Sequence, residues 1–509
     1  MSSMNPFPAL PRRRLTTLSL AMGLALAGCV NVGPDFKAPA APEAAGSSYT
    51  PTPVAASTAA TPGDAAGAAQ QVNYGRALPA EWWTLFHSPA LDQLIRSALQ
   101  QNPSLASAQA ALRQAQETYN AESGSTRYPS VSAQLGATRE RAEQFSVTPS
   151  DFNLYNATVN VSYTFDVFGA NRRALESLAA AVDYQRFEVE AAYQTLVANV
   201  VTTAIREASL RAQLAATHEL LDAQQKQLDI VSKQLALGAV TNATVLAQST
   251  QVAQTAALVA PLEKSLGQTR HQLAVFAGKL PGEGGLPEFQ LDSLQLPENL
   301  PVSLPSELTR QRPDVRASEA LLHQASAEVG VATANQYPQI TLSGNYGTDR
   351  VESSLFSASS TLWSLGAGLT QPLFNGGALS AKRRAAEAAY DQAQAQYRLT
   401  VLTAFQGVAD SLRAIDSDAT TLQAESKAQD LAKQSLDLST RQYQLGGVSY
   451  LTLLDAQRSY QQARVSLVQA QAARFSDTAA LFQALGGGWW NRSDSAAAAT
   501  AGSAPVPNS

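Results

Sequence analysis

The chain has 509 residues, of which 45% are hydrophobic and 15% charged, and its formal net charge is −5. A charged share well under the usual quarter or so excludes a charge-rich disordered chain, and the missing basic surplus argues against a nucleic-acid binder. One cysteine excludes a disulfide framework or a multi-cysteine metal site. The four histidines, His87, His218, His271 and His323, stand far apart with no metal-ligand spacing.

At the N-terminus, Arg12, Arg13 and Arg14 precede the apolar run Leu15–Ala27, which ends Leu26-Ala27-Gly28-Cys29. This is the layout of a secretory signal over residues 1–28, too short for a bilayer-spanning helix of about 20 residues. The last four residues resemble a bacterial lipobox, in which Cys29 is lipidated and becomes the mature first residue; an ordinary signal with an incidental cysteine is the other reading. The sole cysteine standing at that position favours lipidation. Val30 follows it, not an aspartate resembling an inner-membrane retention signal, so the expected destination is the outer membrane.

Residues 29–73 read as a lipid-anchored linker and N-terminal extension, within which Lys37–Val72, rich in Ala, Pro, Ser and Thr, is expected to be an extended tether. Beyond it the chain repeats itself. Leu237-Gly-Ala-Val-Thr-Asn-Ala-Thr-Val-Leu246 recurs 208 residues later as Leu445-Gly-Gly-Val-Ser-Tyr-Leu-Thr-Leu-Leu454. Asn102-Pro103 recurs as Arg312-Pro313, Tyr128-Pro129 as Tyr337-Pro338, and Phe168-Gly169 as Phe374-Asn375-Gly376. The domains expected are a first repeat over 74–279, a linker over 280–303, a second repeat over 304–486, and a disordered tail over 487–509 that is bland apart from Trp489 and Trp490.

Each copy opens with a proline-led helix, Pro103–Ser123 and Pro313–Asn335. Alternating segments follow. Tyr155, Ala157, Val159, Val161, Tyr163 and Phe165 take every second place, with Asn156, Thr158, Asn160, Ser162 and Thr164 between them, which is a strand with one apolar and one polar face. Val131/Ala133/Leu135, Ile340/Leu342/Tyr346 and Trp363/Leu365/Ala367/Leu369 repeat the pattern, giving two strands per copy. Very long helices come next, Ala170–Leu237 and Ala378–Leu445, built from Ala, Gln, Leu and Glu. At 1.5 Å per residue each would span about 100 Å. Leu-Gly ends both, and return helices begin near Val245 and Leu453, with Pro261 expected to kink or break the first.

Four two-faced strands suit a membrane barrel wall but are too few to enclose a lumen, since bacterial barrels start at about 8 strands. Closure by three copies would give 12 strands, with the paired helices continuing the wall as a tube and the two Leu-Gly turns at its tip. A soluble β-sandwich and a coiled-coil scaffold are the competing architectures. Trp82-Trp83 reads as a structural anchor, and Gly282–Gly285 as a turn with neither dinucleotide nor P-loop spacing.

The pieces Cys29-Val-Asn-Val-Gly-Pro-Asp-Phe36, Trp82-Trp83-Thr-Leu-Phe86, Asn102-Pro-Ser-Leu105, Arg312-Pro-Asp-Val315, Tyr337-Pro338 and Gly446-Gly-Val-Ser-Tyr-Leu-Thr-Leu-Leu-Asp-Ala-Gln457 together resemble the outer-membrane factor family, the TolC-like channels, and more narrowly its lipidated OprM/NodT branch. The resemblance implies a mainly α chain with a two-fold repeat, and a trimeric 12-stranded β-barrel continued by a long α-helical barrel. It implies a passive exit duct for drugs or other small molecules, a belt around the tube that includes Leu280–Pro305, and no catalysis or cofactor. The partners it implies are two further copies, a periplasmic adaptor, an inner-membrane pump of the RND type and outer-membrane lipid. By the same resemblance Asp455 matches a ring of carboxylates closing the tip, and Tyr443 a gate tyrosine. The arginine position beside Tyr443 holds Gln442, with Arg441 one step earlier, and Thr244 offers no second ring. Leu237, Gly238, Leu445, Gly446 and Val448 would meet the adaptor. The alternative is an outer-membrane-tethered periplasmic helical scaffold without a pore.

Overall fold

The computed structural model describes residues 32–40, 49–52, 54–142, 150–353 and 357–492. Cys29 and the signal segment lie outside the described residues. In the first copy, helix α1 (Pro89–Gln101) starts where Pro89 needs no hydrogen-bond partner for its nitrogen and Ser88 Oγ accepts from the Leu91 amide at 3.4 Å. Its buried Leu91, Leu94, Ile95 and Ala98 form one apolar stripe. Helix α2 (Pro103–Arg127) follows at once, because Asn102 Oδ1 takes the Ser104 amide at 2.8 Å. Strands β2 (Ser130–Ala142) and β3 (Ser150–Phe165), then helices α3 (Ala170–Ala236) and α4 (Asn242–Phe276), complete the copy. The second copy runs α5 (Pro305–Gln311), α6 (Pro313–Ala334), β5 (Gln339–Ser353), β6 (Ser357–Thr370), α7 (Ala378–Gln444) and α8 (Tyr450–Ala484). The duplication is exact in the lengths of the long helix and its return: α3 and α7 have 67 residues each, α4 and α8 have 35 each.

Two compact units result, and the division falls within α2, α3, α6 and α7. The first holds the antiparallel sheet, ordered β2-β3-β5-β6, so that the two copies join at β3 against β5. In the same unit the segment after Val32 is fixed rather than loose. The buried Arg173 guanidinium bonds Asp35 and Glu176, both at 2.6 Å, and Phe36 stacks on His323 with ring centroids 4.4 Å apart.

The second unit holds a two-stranded parallel ribbon, β1 (Gln71–Tyr74) with β4 (Asn299–Val302), and the turns that end α3 and α7. Its apolar centre gathers Trp82, Trp83 and Phe86 against Phe475 and Phe482 of α8.

Three expectations are corrected here. The tether expected over Lys37–Val72 is docked at points among its described residues: Ala66 and Gln70 are buried, and Gln70 Nε2 donates to Pro297 O at 3.1 Å and Thr478 Oγ1 at 3.0 Å. A segment poor in large apolar groups is held by polar contacts instead. Within the tail expected over 487–509, residues up to Arg492 are ordered, with Trp489 Nε1 donating to Gln311 O at 2.6 Å; residues 493–509 lie outside the described residues. Pro261 does not break α4, which continues through it. The carbonyl that loses its amide partner belongs to Ala257, and both residues are exposed, so that carbonyl is open to solvent rather than stranded in a core.

Candidate functional site

The register of the sheet sorts its side chains without ambiguity. Val131 opposes Val161, Ala133 opposes Val159 and Leu135 opposes Ala157. Across the next two seams Val159 opposes Tyr346 and Tyr346 opposes Trp363, while Phe165 opposes Ile340 and Ile340 opposes Leu369. Opposed residues share a face, so these apolar groups form one continuous surface. It is bare: Leu135 is 84% exposed, Trp363 75% and Leu365 73%. The other face carries Ser132, Gln134, Thr158, Asn160, Thr341, Ser343, Asn345 and Ser364 in the same register.

Toward the hairpin ends the faces exchange character. Arg139, Asp151, Arg350 and Glu352 occupy the side that is apolar lower down, with Arg139 Nη2 3.4 Å from Asp151 Oδ2. Phe152 and Leu154 move to the polar side. From Tyr155 to Phe165 the apolar band therefore runs ten steps, about 33 Å along the strand, and about 25 Å once the strand is tilted as in a barrel, the height of an outer-membrane lipid band. The outer edges of the sheet, β2 and β6, pair on one side only, and lipid offers their backbone groups no partner.

The helix turns of the second unit match each other. Ala239 N donates to Gln234 O and Gly447 N to Gln442 O, each at 2.8 Å. Gly238 and Gly446 take φ of 74° and 73°, left-handed conformations that close both helices. Leu237 and Leu445 stand out at 84% and 87% exposure, Val448 is half-buried, and Arg441 and Gln442 are exposed. Tyr443 faces inward: its ring lies 5.1 Å from that of Tyr450, beside the buried cluster of Val231, Tyr450, Leu453 and Leu454. Burial pushes both phenols up. Tyr450 donates its hydroxyl to Gln248 Oε1, and Gln248 Nε2 reaches Gln224 O at 2.7 Å. Asp455 is exposed, and Arg458 approaches its carboxylate at 3.7 Å. Arg458 also donates to Gln251 Oε1 at 2.8 Å.

So Tyr443, Asp455 and the exposed leucines gather around one pair of turns. Arg458, Gln248 and Gln251 belong to the same place and escaped sequence reasoning, though the spacing of three between Asp455 and Arg458, and between Gln248 and Gln251, put each pair on one helix face. Among the described residues no group of three or more His, Cys, Asp or Glu side chains is placed to hold a metal ion, and no helix is long and apolar enough to cross a membrane.

The family model described as Outer membrane efflux protein matches residues 94–279 and 304–487. The chain belongs to the outer membrane efflux protein family. Among its relatives, the pyoverdine export outer membrane protein OpmQ of Pseudomonas aeruginosa is 34% identical over 423 residues, 80% of this chain and 87% of the relative. The cation efflux system protein CusC of Escherichia coli is 31% identical, over 93% of this chain and 98% of the relative. Of the solved structures, the outer-membrane channel OprN superposes with a TM-score of 0.78 at 27% identity, covering 90% of this chain and all of that one.

The fold is accordingly that of these outer membrane efflux proteins: a mainly α chain with a two-fold internal repeat, whose four strands are one third of a 12-stranded trimeric β-barrel. The protein is an outer-membrane channel of a tripartite efflux system. The bare apolar face of the sheet is its lipid-facing wall.

Proposed function

We propose that three copies form a passive exit duct, receiving small molecules from an RND-type inner-membrane pump through a periplasmic adaptor and catalysing nothing. The observation that carries this reading is the sheet, with one apolar face, one polar face and two unpaired edges. A pore-free scaffold would have no use for an apolar face of this extent in water. Relatives at 34% and 31% identity are named for pyoverdine export and for cation efflux, different cargo for similar chains, which supports selection by the pump.

The anchor is a lipid on Cys29 after removal of residues 1–28, and residues 29–73 bring the chain to the first repeat, 74–279. A linker over 280–303 leads to the second repeat, 304–486, and a tail follows. At the tip, Asp455 of each copy contributes one of three carboxylates around the axis, which concentrate cations. Tyr443 and Tyr450 brace the same turn from inside. With Gln442 and Arg441 exposed beside Tyr443, a latch here rests on Arg458, the cation that meets Asp455. Leu237, Gly238, Leu445, Gly446 and Val448 present the adaptor with two short apolar knobs.

Single-channel recording in planar bilayers tests the reading. Wild-type protein is expected to open a cation-blocked pore, and Asp455→Ala to conduct more with weaker block. Absence of any conductance overturns the duct, whereas unchanged conductance and block in the variant remove Asp455 from the gate alone.

A further inference from the structure

Where the two copies join inside the chain, an aromatic pair finishes the seam. Phe165 opposes Ile340 at the end of β3 against β5. Three places further, still opposite one another in the extended register, Phe168 stacks on Tyr337 with centroids 4.9 Å apart and planes 21° from parallel.

The duplication supplies a second such pair. Tyr128 and Tyr337 each precede a proline and the first strand of their copy. Phe168 and Phe374 each follow the second strand and precede a left-handed glycine, Gly169 at φ 81° and Gly376 at φ 63°, and then a 67-residue helix. Yet the second pair is unmade within one chain: Phe374 is 92% exposed and Tyr128 69%. These residues flank β6 and β2, the two unpaired edges.

We propose that Phe374 stacks on Tyr128 of the neighbouring copy and thereby sets the register in which β6 pairs with the neighbour's β2 to close the barrel. This rests on the trimeric duct. Extending the register from that pair places Leu369 opposite Ala133, Ala367 opposite Leu135 and Leu365 opposite Ala137.

Two independent requirements agree. The first is face: this register keeps Leu369, Ala367 and Leu365 opposite Ala133, Leu135 and Ala137 on the apolar side, with Arg139 and Arg141 meeting Trp363 and Thr361 where that side turns polar, and a slip of one residue would turn all of them toward the lumen. The second is closure. Leu135 opposes Ala157, Ala157 opposes Thr348 and Thr348 opposes Thr361. In the proposed register Thr361 meets Arg141 of the neighbour, six residues beyond Leu135. Three chains accumulate eighteen residues of stagger over 12 strands, a strand tilt of about 46° at roughly 3.3 Å per residue and 4.8 Å per strand. Two residues further per chain gives about 54°, outside the range of about 35–45° for membrane barrels. Two residues fewer gives about 35°, so closure leaves two registers and the aromatic pair selects between them.

Disulfide trapping in intact outer membranes tests this on the full chain. Three double variants are oxidised with copper phenanthroline: Leu365→Cys with Ala137→Cys, Leu365→Cys with Leu135→Cys, and Leu365→Cys with Arg139→Cys. Covalent oligomers are read on denaturing gels, and trimers independently with an amine cross-linker. The first pair is expected to give several-fold more covalent trimer than either other pair, and adding Phe374→Ala, but not Phe374→Tyr, is expected to lower that yield several-fold. Preferential trapping of another pair, no trapping in a chain that amine cross-linking shows to be trimeric, or a yield indifferent to Phe374→Ala overturns the proposed seam and leaves the trimer standing. Absence of trimers by amine cross-linking overturns the duct itself and the seam with it.

Discussion

Arg474 of α8, 1% exposed, donates from Nη1 to the backbone carbonyl of Ala66 at 2.7 Å. Its Nη2 reaches Thr58 Oγ1 at 3.2 Å and Gln70 Oε1 at 2.9 Å, so one guanidinium holds a segment of chain with few apolar groups. Arg474→Ala leaves two buried acceptors, Ala66 O and Gln70 Oε1, without a donor and should cost roughly 3 kcal/mol. Thermal unfolding should fall by several degrees, and protease cutting within 54–74 should speed up. Unchanged cutting would mean that the segment is held elsewhere.

Close to Arg474, the carboxyl of Asp418 on α7 faces that of Asp477 on α8. Burial, then the hydrogen bond and charge of Asp477, push Asp418 up to about 7, against the opposing pull of Arg474. The unfolded chain releases the Asp418 proton near the ordinary value of about 3.9. Between about pH 4 and 7 the folded state therefore binds more protons, and stability falls as pH rises through that window. Asp418→Asn should raise the melting temperature at pH 8 and leave it nearly unchanged at pH 4. A variant that gains equally at both values would contradict the raised titration of Asp418.

The two faces of the sheet should respond oppositely to one substitution. Leu365→Arg puts a charge in lipid, at roughly 2–4 kcal/mol near the midplane, and should abolish accumulation in the outer membrane. Ser343→Arg, on the polar face, should assemble normally and reduce cation conductance. Immunoblots of membrane fractions and bilayer recordings read both outcomes. Equal loss of both variants would refute the assignment of faces.

Much of this was legible in the sequence because it rests on period and punctuation. Alternation from Tyr155 to Phe165 gave the face of β3, and Leu237-Gly238 and Leu445-Gly446 marked the helix ends within a residue. What stayed hidden depends on contacts distant in sequence. The packed course of 54–74 rests on Arg474, some four hundred residues away, and composition alone read it as a tether. Pro261 carries the usual signal for a break, but an exposed carbonyl can turn to water. The inward turn of Tyr443 needed Tyr450 as its neighbour, and Arg458 drew no notice because its role depends on reaching both Asp455 and Gln251.

At the turns, Tyr450→Phe removes the donor to Gln248 and leaves a buried oxygen unpaired, a cost of about 1–2 kcal/mol. The effect should be local. Amide hydrogen exchange at the start of α8 should quicken several-fold with the sheet unaffected, whereas uniform exchange across the chain would show that this bond does not brace the turn.

The account depends most on the incompleteness of the sheet. Native mass spectrometry of the protein released from outer-membrane detergent extracts measures this directly, and three chains per particle is the predicted result. A stable single chain that still opens pores would contradict it, because four strands would then have closed without a partner.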